Sequence, residues 1–175
     1  MIVLLRKEVF MNIYDKIKKI SETNDKVLMF VDMDGTIAEY NFFTKEYQEE
    51  NKDGLFINTR PLTSVLDCLN KISKINNIEL YILSICMYEH DKKEKLDWLN
   101  KYTPFIKKNN RVILTQENND YTPQNKFEVK AEYMNNLATN NEHIIFLEDT
   151  HENMRKSKEL LGDRITNIHI SSFVD

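Results

Sequence analysis

The amino-acid sequence predicts an α/β fold in which a parallel β-sheet lies between layers of helices. The first reason is a series of short, continuous apolar runs, such as Val27 to Val31, because a strand that is covered on both faces has no polar side. The second reason is that amphipathic helical patterns separate these runs, in the order that gives right-handed βαβ crossovers. The alternation therefore predicts a Rossmann-like, doubly wound sheet, whose ligands bind beyond the carboxyl ends of the strands.

The predicted elements follow one another along the chain without an internal repeat. Apolar residues at Val9, Ile13, Ile17 and Ile20 are spaced by three and four, which predicts an amphipathic helix from Val9 to about Ser21. The strands predicted after Val27 to Val31 are Ile78 to Leu83, Val112 to Leu114, Ile144 to Leu147, and Ile165 to Ile170. The helices predicted between them are Leu62 to Ile75, Lys92 to Lys101, Phe127 to Leu137, and Glu152 to Leu161.

We expect the chain to form a single domain over residues 1–175, because this length allows a sizeable core without disulfides or structural metal. Within that domain, residues 1–24 are predicted to form an N-terminal helical extension. Residues 39–60 show no regular period and follow the first strand, so we expect a small cap insertion there.

The composition excludes several classes of protein. Hydrophobic residues make up 41% and charged residues 30% of the chain, which is typical of globular proteins and not of disordered or membrane proteins. The longest apolar run near the start, Ile2 to Leu5, is too short for a signal peptide or a membrane span, so we expect a cytoplasmic protein with no membrane partner. A formal net charge of -4 argues against nucleic acid as the main partner, since binding to its backbone depends on clustered lysine and arginine.

Two carboxylates directly follow the first predicted strand, in the run Asp32-Met33-Asp34-Gly35-Thr36. Gly35 indicates a backbone turn that a side chain would obstruct, although turn preferences alone also allow an ordinary turn without a catalytic role. One carboxylate can attack a phosphoryl group and form an aspartyl phosphate, while the second protonates the leaving oxygen and later activates the hydrolytic water. Because two anions repel a phosphate, the site requires a cation, and Mg²⁺ with oxygen ligands is expected.

Polar side chains also follow two other predicted strands and open a helix. Ser84 follows the second strand, where its hydroxyl can donate to a phosphate oxygen, although it also suits a helix cap. Glu148 and Asp149 follow the fourth strand and can ligate a hard cation, although Asp149 can equally cap the next helix. Lys130 opens a helix and can neutralise the nucleophile and the transferred phosphoryl group. Three strands thus end in groups that one phosphoryl site requires.

This pattern resembles the haloacid dehalogenase-like hydrolase superfamily. The run Asp32 to Thr36 is similar to the first motif of that superfamily, Asp-x-Asp-x-Thr after a strand, and the resemblance covers residues 26–170. The further motifs of the superfamily fall, in its usual order, at Ser84, Lys130 and Glu148-Asp149. Lys126, one helical turn before Lys130, is the alternative position for the third motif.

The resemblance implies a phosphatase with assigned roles for these residues. It implies that Asp32 is the nucleophile and that Asp34 is the general acid and base. It also implies that Mg²⁺ is bound by Asp32, by the backbone carbonyl of Asp34 and by an acidic residue of the fourth motif. Asp149 is the first choice for that ligand and Glu148 would bind through water, although the order of the two can be reversed.

A narrower resemblance concerns the substrate. Three segments look like the 5'(3')-deoxyribonucleotidase-like branch of the superfamily, which implies that the small-molecule phosphomonoester is a nucleoside monophosphate. These segments are Gly54 to Asn58, Tyr81 to Ser84, and Trp98 to Tyr102. Aromatic residues of the insertion can either stack on a base or hold the insertion against the body of the protein. They are Phe42, Phe43, Tyr47 and Phe56.

Other classes of function lack the motifs they need. Glycines at positions 35, 54 and 162 cannot form a P-loop or a G-x-G-x-x-G turn, and the four histidines show no HExxH pairing. A phosphatase for nucleic-acid ends or for other phosphorylated metabolites remains an alternative, as does a non-catalytic regulator with the same fold. The adjacent carboxylates of Asp32 and Asp34 argue against the regulator, because they are costly without a catalytic role. The sequence leaves the oligomeric state open.

Overall fold

The computed structural model describes residues 12–41, 43–50 and 53–173. Within them, all five strands pair in parallel in one sheet. The strands are β1 (Val27–Val31), β2 (Ile78–Cys86), β3 (Arg111–Thr115), β4 (His143–Glu148) and β5 (Ile165–His169). Their order across the sheet is β3-β2-β1-β4-β5. The predicted doubly wound parallel sheet is confirmed, and each strand lies within a few residues of its apolar run.

Helices lie between the strands, as the sequence pattern predicts. They are α1 (Ile13–Glu22), α2 (Lys45–Glu50), α3 (Thr63–Ile72), α4 (Glu89–Tyr102), α5 (Val129–Leu137) and α6 (His151–Leu161). Helix α1 begins at Ile13 because the side chain of Asn12 caps it, whereas residues 1–11, including the predicted start at Val9, lie outside the described residues. None of these helices has both the length and the apolar character that crossing a membrane requires.

Helix α4 begins three residues before the predicted start at Lys92. The physical reason is a capping contact, in which the carboxylate of Asp91 accepts the backbone N–H of Tyr88 at 3.3 Å. This contact stabilises a first turn that carries no apolar residue facing the core, and hydrophobic spacing alone therefore does not reveal it.

The hydrophobic core lies on both faces of the sheet. Every residue of β1 is buried, and alternate residues of a strand point to opposite faces. On one face, Met29 clusters with Leu69 of α3 and Trp98 of α4. On the other face, Phe30 clusters with Met134 of α5. This two-sided burial explains why the sequence of β1 is an unbroken apolar run.

The strands that precede the predicted site residues end at one edge of the sheet. Val31, the last residue of β1, pairs with Ile82 of β2 and with Leu147 of β4. The chain runs to one side of β1 to form β2 and β3, and to the other side to form β4 and β5. The end of β1 is therefore the topological switch point, where ligands bind in sheets of this kind.

The described residues of the segment 39–60, which we call the insertion, lie next to this edge. Its two ends are joined by a hydrogen bond from the backbone N–H of Glu39 to the carbonyl of Arg60 at 2.8 Å. The insertion is also tied to α4, because Nε1 of Trp98 donates to the carbonyl of Thr59 at 2.7 Å. The insertion thus has a closed base beside the end of β1, and it carries the short helix α2.

Candidate active site

The predicted site residues surround one cavity of about 210 Å³ at the carboxyl ends of β1, β2 and β4. They come from separate parts of the chain, which the parallel sheet brings to the same edge. The cavity is lined by all six of them: Asp32, Asp34, Ser84, Lys130, Glu148 and Asp149. The arrangement places carboxylates, a hydroxyl and an ammonium around a space large enough for a phosphoryl group.

Lys130 joins two of the carboxylates. Its Nζ lies 2.6 Å from Oδ1 of Asp32 and 2.8 Å from Oε2 of Glu148, and its side chain is only 3% exposed. A buried ammonium needs such partners, because an unpaired buried charge is strongly destabilising. The alternative lysine, Lys126, is exposed at the rim of the cavity, with its Nζ 4.7 Å from the centre of the Phe127 ring. The geometry favours Lys130 for the third motif.

The buried carboxylates are difficult to ionise together. Burial is the main reason that the pKa of Asp32 is raised to about 7, and the charge of Glu148 raises it further, although Lys130 opposes both effects. Burial also raises the pKa of Glu148. Burial alone would lower the pKa of Lys130, but the charges of Asp32 and Glu148 together raise it above its ordinary value. The cluster therefore favours an additional cation.

Three carboxylates lie close enough together to share a metal ion. Carboxylate oxygens of Asp32, Glu148 and Asp149 all lie within 4.8 Å of one another. Both oxygens of Glu148 already accept hydrogen bonds, whereas Oδ2 of Asp149 receives none from the described residues. Hard oxygen donors of this kind are the ligands that Mg²⁺ prefers. The donor set fits a divalent cation, and Asp149 is better placed than Glu148 for direct contact.

A buried amide in the wall of the cavity supports the same interpretation. Asn153 of α6 is 7% exposed, and its Oδ1 has no hydrogen-bond partner among the described residues. A buried acceptor without a donor is destabilising by about 1–3 kcal/mol, so we expect a water molecule, free or bound to a cation, to donate to it. The sequence analysis missed Asn153. Its spacing of four residues after Asp149, about one helical turn, is the signal that could have found it.

Gly35 allows the turn after β1 to approach Asp149 closely. Its φ of +75° lies in the left-handed region, which side chains disfavour. A Cβ atom at this position would overlap Oδ2 of Asp149 and lie 3.0 Å from its Cγ. Both facts confirm the interpretation of Gly35 as a turn that a side chain would obstruct.

Asp34, which is only half-buried, belongs to a second polar network. Oγ of Ser84 donates to Oδ2 of Asp34 at 3.3 Å, and Ser84 lies inside β2, so it caps no helix. Lys95 of α4 is 1% exposed, and its Nζ donates to Oδ2 of Asp34, to Oγ of Ser84 at 3.1 Å and to the carbonyl of Ile85 at 2.8 Å. Each Asp of the first motif is thus paired with its own buried lysine.

Lys95 is a site residue that the sequence analysis missed. It belongs to a lysine-rich stretch with Lys92 and Lys93, which resembles a solvated helix face. The signal that could have found it is its helical spacing. Lys95 lies three residues before Trp98 and four before Leu99, both fully buried, so it shares the inward face of α4.

A second cavity of about 200 Å³ adjoins the first and is lined partly by the insertion. The lining residues that the two cavities share are Asp34, Tyr40 and Ile85. Phe43 and Phe56 also line the second cavity, with their rings 6.0 Å apart and nearly perpendicular. The ring of Phe43 also stacks on Tyr47 at 5.5 Å, whereas Phe42 lies outside the described residues. The aromatic residues therefore both pack on one another and line a cavity.

Solved structures share the fold of this chain. A chain of the Pnkp1/Rnl/Hen1 RNA repair complex matches with a TM-score of 0.56 and 16% identity, covering 82% of this chain and 42% of that chain. The haloacid dehalogenase domain of effector protein Lem4 from Legionella pneumophila matches with a TM-score of 0.52 and 13% identity, covering 83% of this chain and 88% of that chain. A haloacid dehalogenase-like hydrolase from Streptococcus pneumoniae matches with a TM-score of 0.53 and 14% identity. This match covers 86% of this chain and 90% of that chain. At these identities the likeness shows the fold alone.

No curated protein matches the chain. The sequence model of one family, described as "5' nucleotidase, deoxy (Pyrimidine), cytosolic type C protein", matches residues 41–146. That segment is more than half of the chain, and it contains Ser84 and Lys130 but neither Asp32 nor Asp149. The chain therefore belongs to this nucleotidase family, a branch of the haloacid dehalogenase-like superfamily, and is a phosphoric monoester hydrolase.

Proposed function

We propose that this phosphatase is magnesium-dependent, that it hydrolyses nucleoside monophosphates, and that the reaction passes through an aspartyl phosphate on Asp32. The observation that carries the proposal is the contact of one buried ammonium, Lys130, with both Asp32 and Glu148, next to Asp149. A carboxylate that attacks an anionic phosphoryl group needs fixed positive charge beside it. The position of this cluster at the switch point of the sheet supports a ligand site there.

The proposed Mg²⁺ ligands are the carboxylates of Asp32 and Asp149 and the backbone carbonyl of Asp34, with Glu148 acting through water. When bound, the ion would neutralise part of the charge on the carboxylates and on the phosphoryl oxygens. Asn153 would accept a hydrogen bond from water in the same part of the cavity, which gives its buried Oδ1 a partner.

In the first step, a carboxylate oxygen of Asp32 attacks phosphorus and the bond from phosphorus to the leaving oxygen breaks. Asp34 gives its proton to that oxygen, so that the alcohol leaves neutral. Lys130 holds Oδ1 of Asp32 at 2.6 Å and stabilises the negative charge of the phosphoryl oxygens. The products are the free alcohol and a phosphorylated Asp32.

In the second step, water attacks phosphorus and Asp34 takes a proton from that water. The bond from phosphorus to Asp32 breaks, inorganic phosphate leaves, and both carboxylates return to their starting states. When substrate binds, the single O–H of Ser84 turns from Oδ2 of Asp34 to a phosphoryl oxygen in the same cavity. Lys95 keeps Asp34 in place and stabilises its negative charge between the two steps.

The second cavity supports a nucleoside as the leaving group. It adjoins Asp34, from which the leaving oxygen receives its proton, and it is lined by the rings of Phe43 and Phe56. Flat aromatic faces stack on nucleobases. The family description, which names a deoxy, pyrimidine 5' nucleotidase, supports the same class of substrate.

A substrate panel tests this proposal. Purified protein is incubated with Mg²⁺ and, separately, with nucleoside monophosphates, sugar phosphates, 5'- and 3'-phosphorylated oligonucleotides, and p-nitrophenyl phosphate. We expect the highest kcat/KM for a nucleoside monophosphate, with turnover that EDTA stops and excess Mg²⁺ restores. A preference for oligonucleotide ends would instead support a nucleic-acid-end phosphatase, and no turnover of any ester would support a non-catalytic protein.

The covalent intermediate has its own test. Acid quenching during turnover should leave a fraction of the protein heavier by one phosphoryl group, located by mass spectrometry on the peptide that contains Asp32. Hydroxylamine should remove this group, because it cleaves acyl phosphates and not phosphoserine. A stable phosphoryl group on a serine, or none during steady turnover, would contradict the aspartyl-phosphate mechanism.

A further inference from the structure

Glu94 of α4 binds the backbone of the insertion. Its carboxylate accepts the backbone N–H of Gly54 through Oε1, and those of Phe56 at 2.9 Å and Ile57 at 3.3 Å through Oε2. Hydrogen bonds to an ionised acceptor are stronger than those between neutral groups. This one side chain therefore fixes the path of residues 54–57.

The next residue of the same helix, Lys95, contacts the catalytic carboxylate. Its Nζ donates to Asp34 and Ser84, and it also lies 4.7 Å from the centre of the Phe56 ring. An ammonium over an aromatic ring is attracted to it, more strongly where water is excluded. Phe56 thus contacts the two residues on α4, its backbone N–H binding Glu94 and its ring covering Lys95.

These contacts shape the second cavity. Phe56, Lys95 and Asp34 all line it, so the ring that Glu94 fixes in place forms one wall of the space beside the general acid. This segment has other hydrogen bonds as well: the backbone N–H of Thr59 donates to the carbonyl of Phe56 at 3.1 Å, and Oγ1 of Thr59 donates to the carbonyl of Leu55 at 3.2 Å. Thr59 is held to Trp98, and the side chain of Asn58 donates back to Gly54 at 3.1 Å. None of these hydrogen bonds joins Phe56 to α4, and the other ring contact of Phe56, with Phe43 at 6.0 Å, lies within the insertion.

We propose that Glu94 is a positioning residue for the leaving group. It holds residues 54–57 so that Phe56 closes the second cavity over Lys95, and it therefore acts only on substrates whose leaving group fills that cavity. The proposal rests on the proposed function, because it assumes that the nucleoside occupies the second cavity. A merely structural anchor would instead affect all substrates equally, through the stability of the fold.

The test compares Glu94→Gln with Glu142→Gln. Glutamine keeps one acceptor oxygen and replaces the other with an NH₂ group, which cannot accept from a backbone N–H. Glu142 is a matched control, because its carboxylate also accepts a backbone N–H, that of Thr139 at 2.8 Å, and forms an ion pair with Lys26. It directly precedes β4, at the opposite edge of the sheet from the active site.

For Glu94→Gln, we expect kcat/KM for a nucleoside monophosphate to fall about tenfold, mainly through KM. The same parameter for p-nitrophenyl phosphate, whose leaving group is smaller, should change by less than about threefold. Hydrogen exchange of the Gly54, Phe56 and Ile57 amides should become faster, since each of them donates to Glu94. Glu142→Gln should change neither the ratio of kcat/KM between the two substrates nor the exchange rates of these three amides.

Two results would overturn the proposal. One is an equal loss of kcat/KM for both substrates in Glu94→Gln, and the other is unchanged nucleotide kinetics despite faster exchange of the three amides. If the wild-type protein hydrolysed no monoester, the proposed function would fail by itself. Titration calorimetry with the nucleoside monophosphate would then decide the role of Glu94, because weaker binding to Glu94→Gln would support it and equal binding would overturn it.

Discussion

The catalytic edge of the sheet and the insertion hold their side chains in different ways. At the catalytic edge, Asp32 and Lys130 are both nearly fully buried and joined in an ion pair across separate elements. In the insertion, Tyr40 is 61% exposed, and the ring contacts of Phe43 are with other residues of the same segment. The sheet therefore fixes the first region, whereas the second depends on its own packing and on its hydrogen bonds to α4.

In the proposed mechanism, this difference separates the groups that act on phosphorus from those that select the substrate. In that mechanism, Asp32 and Ser84 act on phosphorus from the carboxyl ends of strands and Lys130 acts from the buried start of α5, while the groups beside the leaving group lie on a segment that can vary. Variants at the catalytic edge should therefore lower kcat for every monoester. Variants of the insertion should raise KM for large substrates and leave small ones nearly unchanged.

The largest effect is expected for Asp32→Asn. An amide does not act as a nucleophile toward phosphorus, so kcat should fall by about 10⁴-fold or more with every substrate. The fold should persist, because the amide has the same size and Lys130 keeps Glu148 as an ionic partner. Phosphate release and thermal unfolding by circular dichroism measure the two effects. A folded variant with comparable turnover would refute the assignment of Asp32 as the nucleophile.

The second-largest loss of kcat is expected for Lys130→Met, and Lys126→Met is its control. Methionine is unbranched and only one atom shorter than lysine, but it leaves Asp32 and Glu148 without their shared ammonium. We expect kcat to fall about 10²-fold or more, and the free energy of unfolding to fall by about 3 kcal/mol, as for other broken buried ion pairs. Because Lys126 is exposed, its variant should stay within about threefold of wild type. The reverse ranking in kcat would assign the third motif to Lys126.

Gly35→Ala tests the close approach of the turn to Asp149, and Gly162→Ala is its control. Both glycines have positive φ, so either alanine should be destabilising by about 1–2 kcal/mol. Only at position 35 does the new Cβ overlap a carboxylate, since nothing lies within 4 Å of the position at Gly162. Gly35→Ala alone should therefore lower activity, by about tenfold, and raise the Mg²⁺ concentration for half-maximal rate. Equal Mg²⁺ dependence in the two variants would contradict this.

The comparison also explains how much of the site the sequence predicts. The ends of strands can be predicted because a buried parallel strand is a continuous apolar run. The polar residues that follow such a run lie at or near the carboxyl end of its strand, as Ser84 does within β2 and Asp149 does directly after β4. Lys95 is different, because one lysine of a helix face points inward, and only the spacing to Trp98 and Leu99 distinguishes it from its neighbours. A contact such as that of Glu94 with three backbone N–H groups leaves no pattern in the sequence at all.

The smallest effect is expected within the insertion, for Phe43→Leu. Phe43 lines the second cavity, so loss of its ring should raise KM for a nucleoside monophosphate about threefold to tenfold, the usual range for one aromatic contact. The KM for p-nitrophenyl phosphate should stay within about twofold, because that substrate reaches less of the cavity.

Tyr47→Leu separates stacking on a base from packing within the insertion. Like Phe43→Leu, this variant removes the ring contact between Phe43 and Tyr47. Tyr47, however, is not among the residues that line the second cavity. If Phe43 stacks on the nucleobase, Phe43→Leu should raise the nucleotide KM more than Tyr47→Leu does. Equal increases would mean that the rings only hold the insertion in place, and the substrate preference would then depend on the shape of the cavity more than on any one aromatic face.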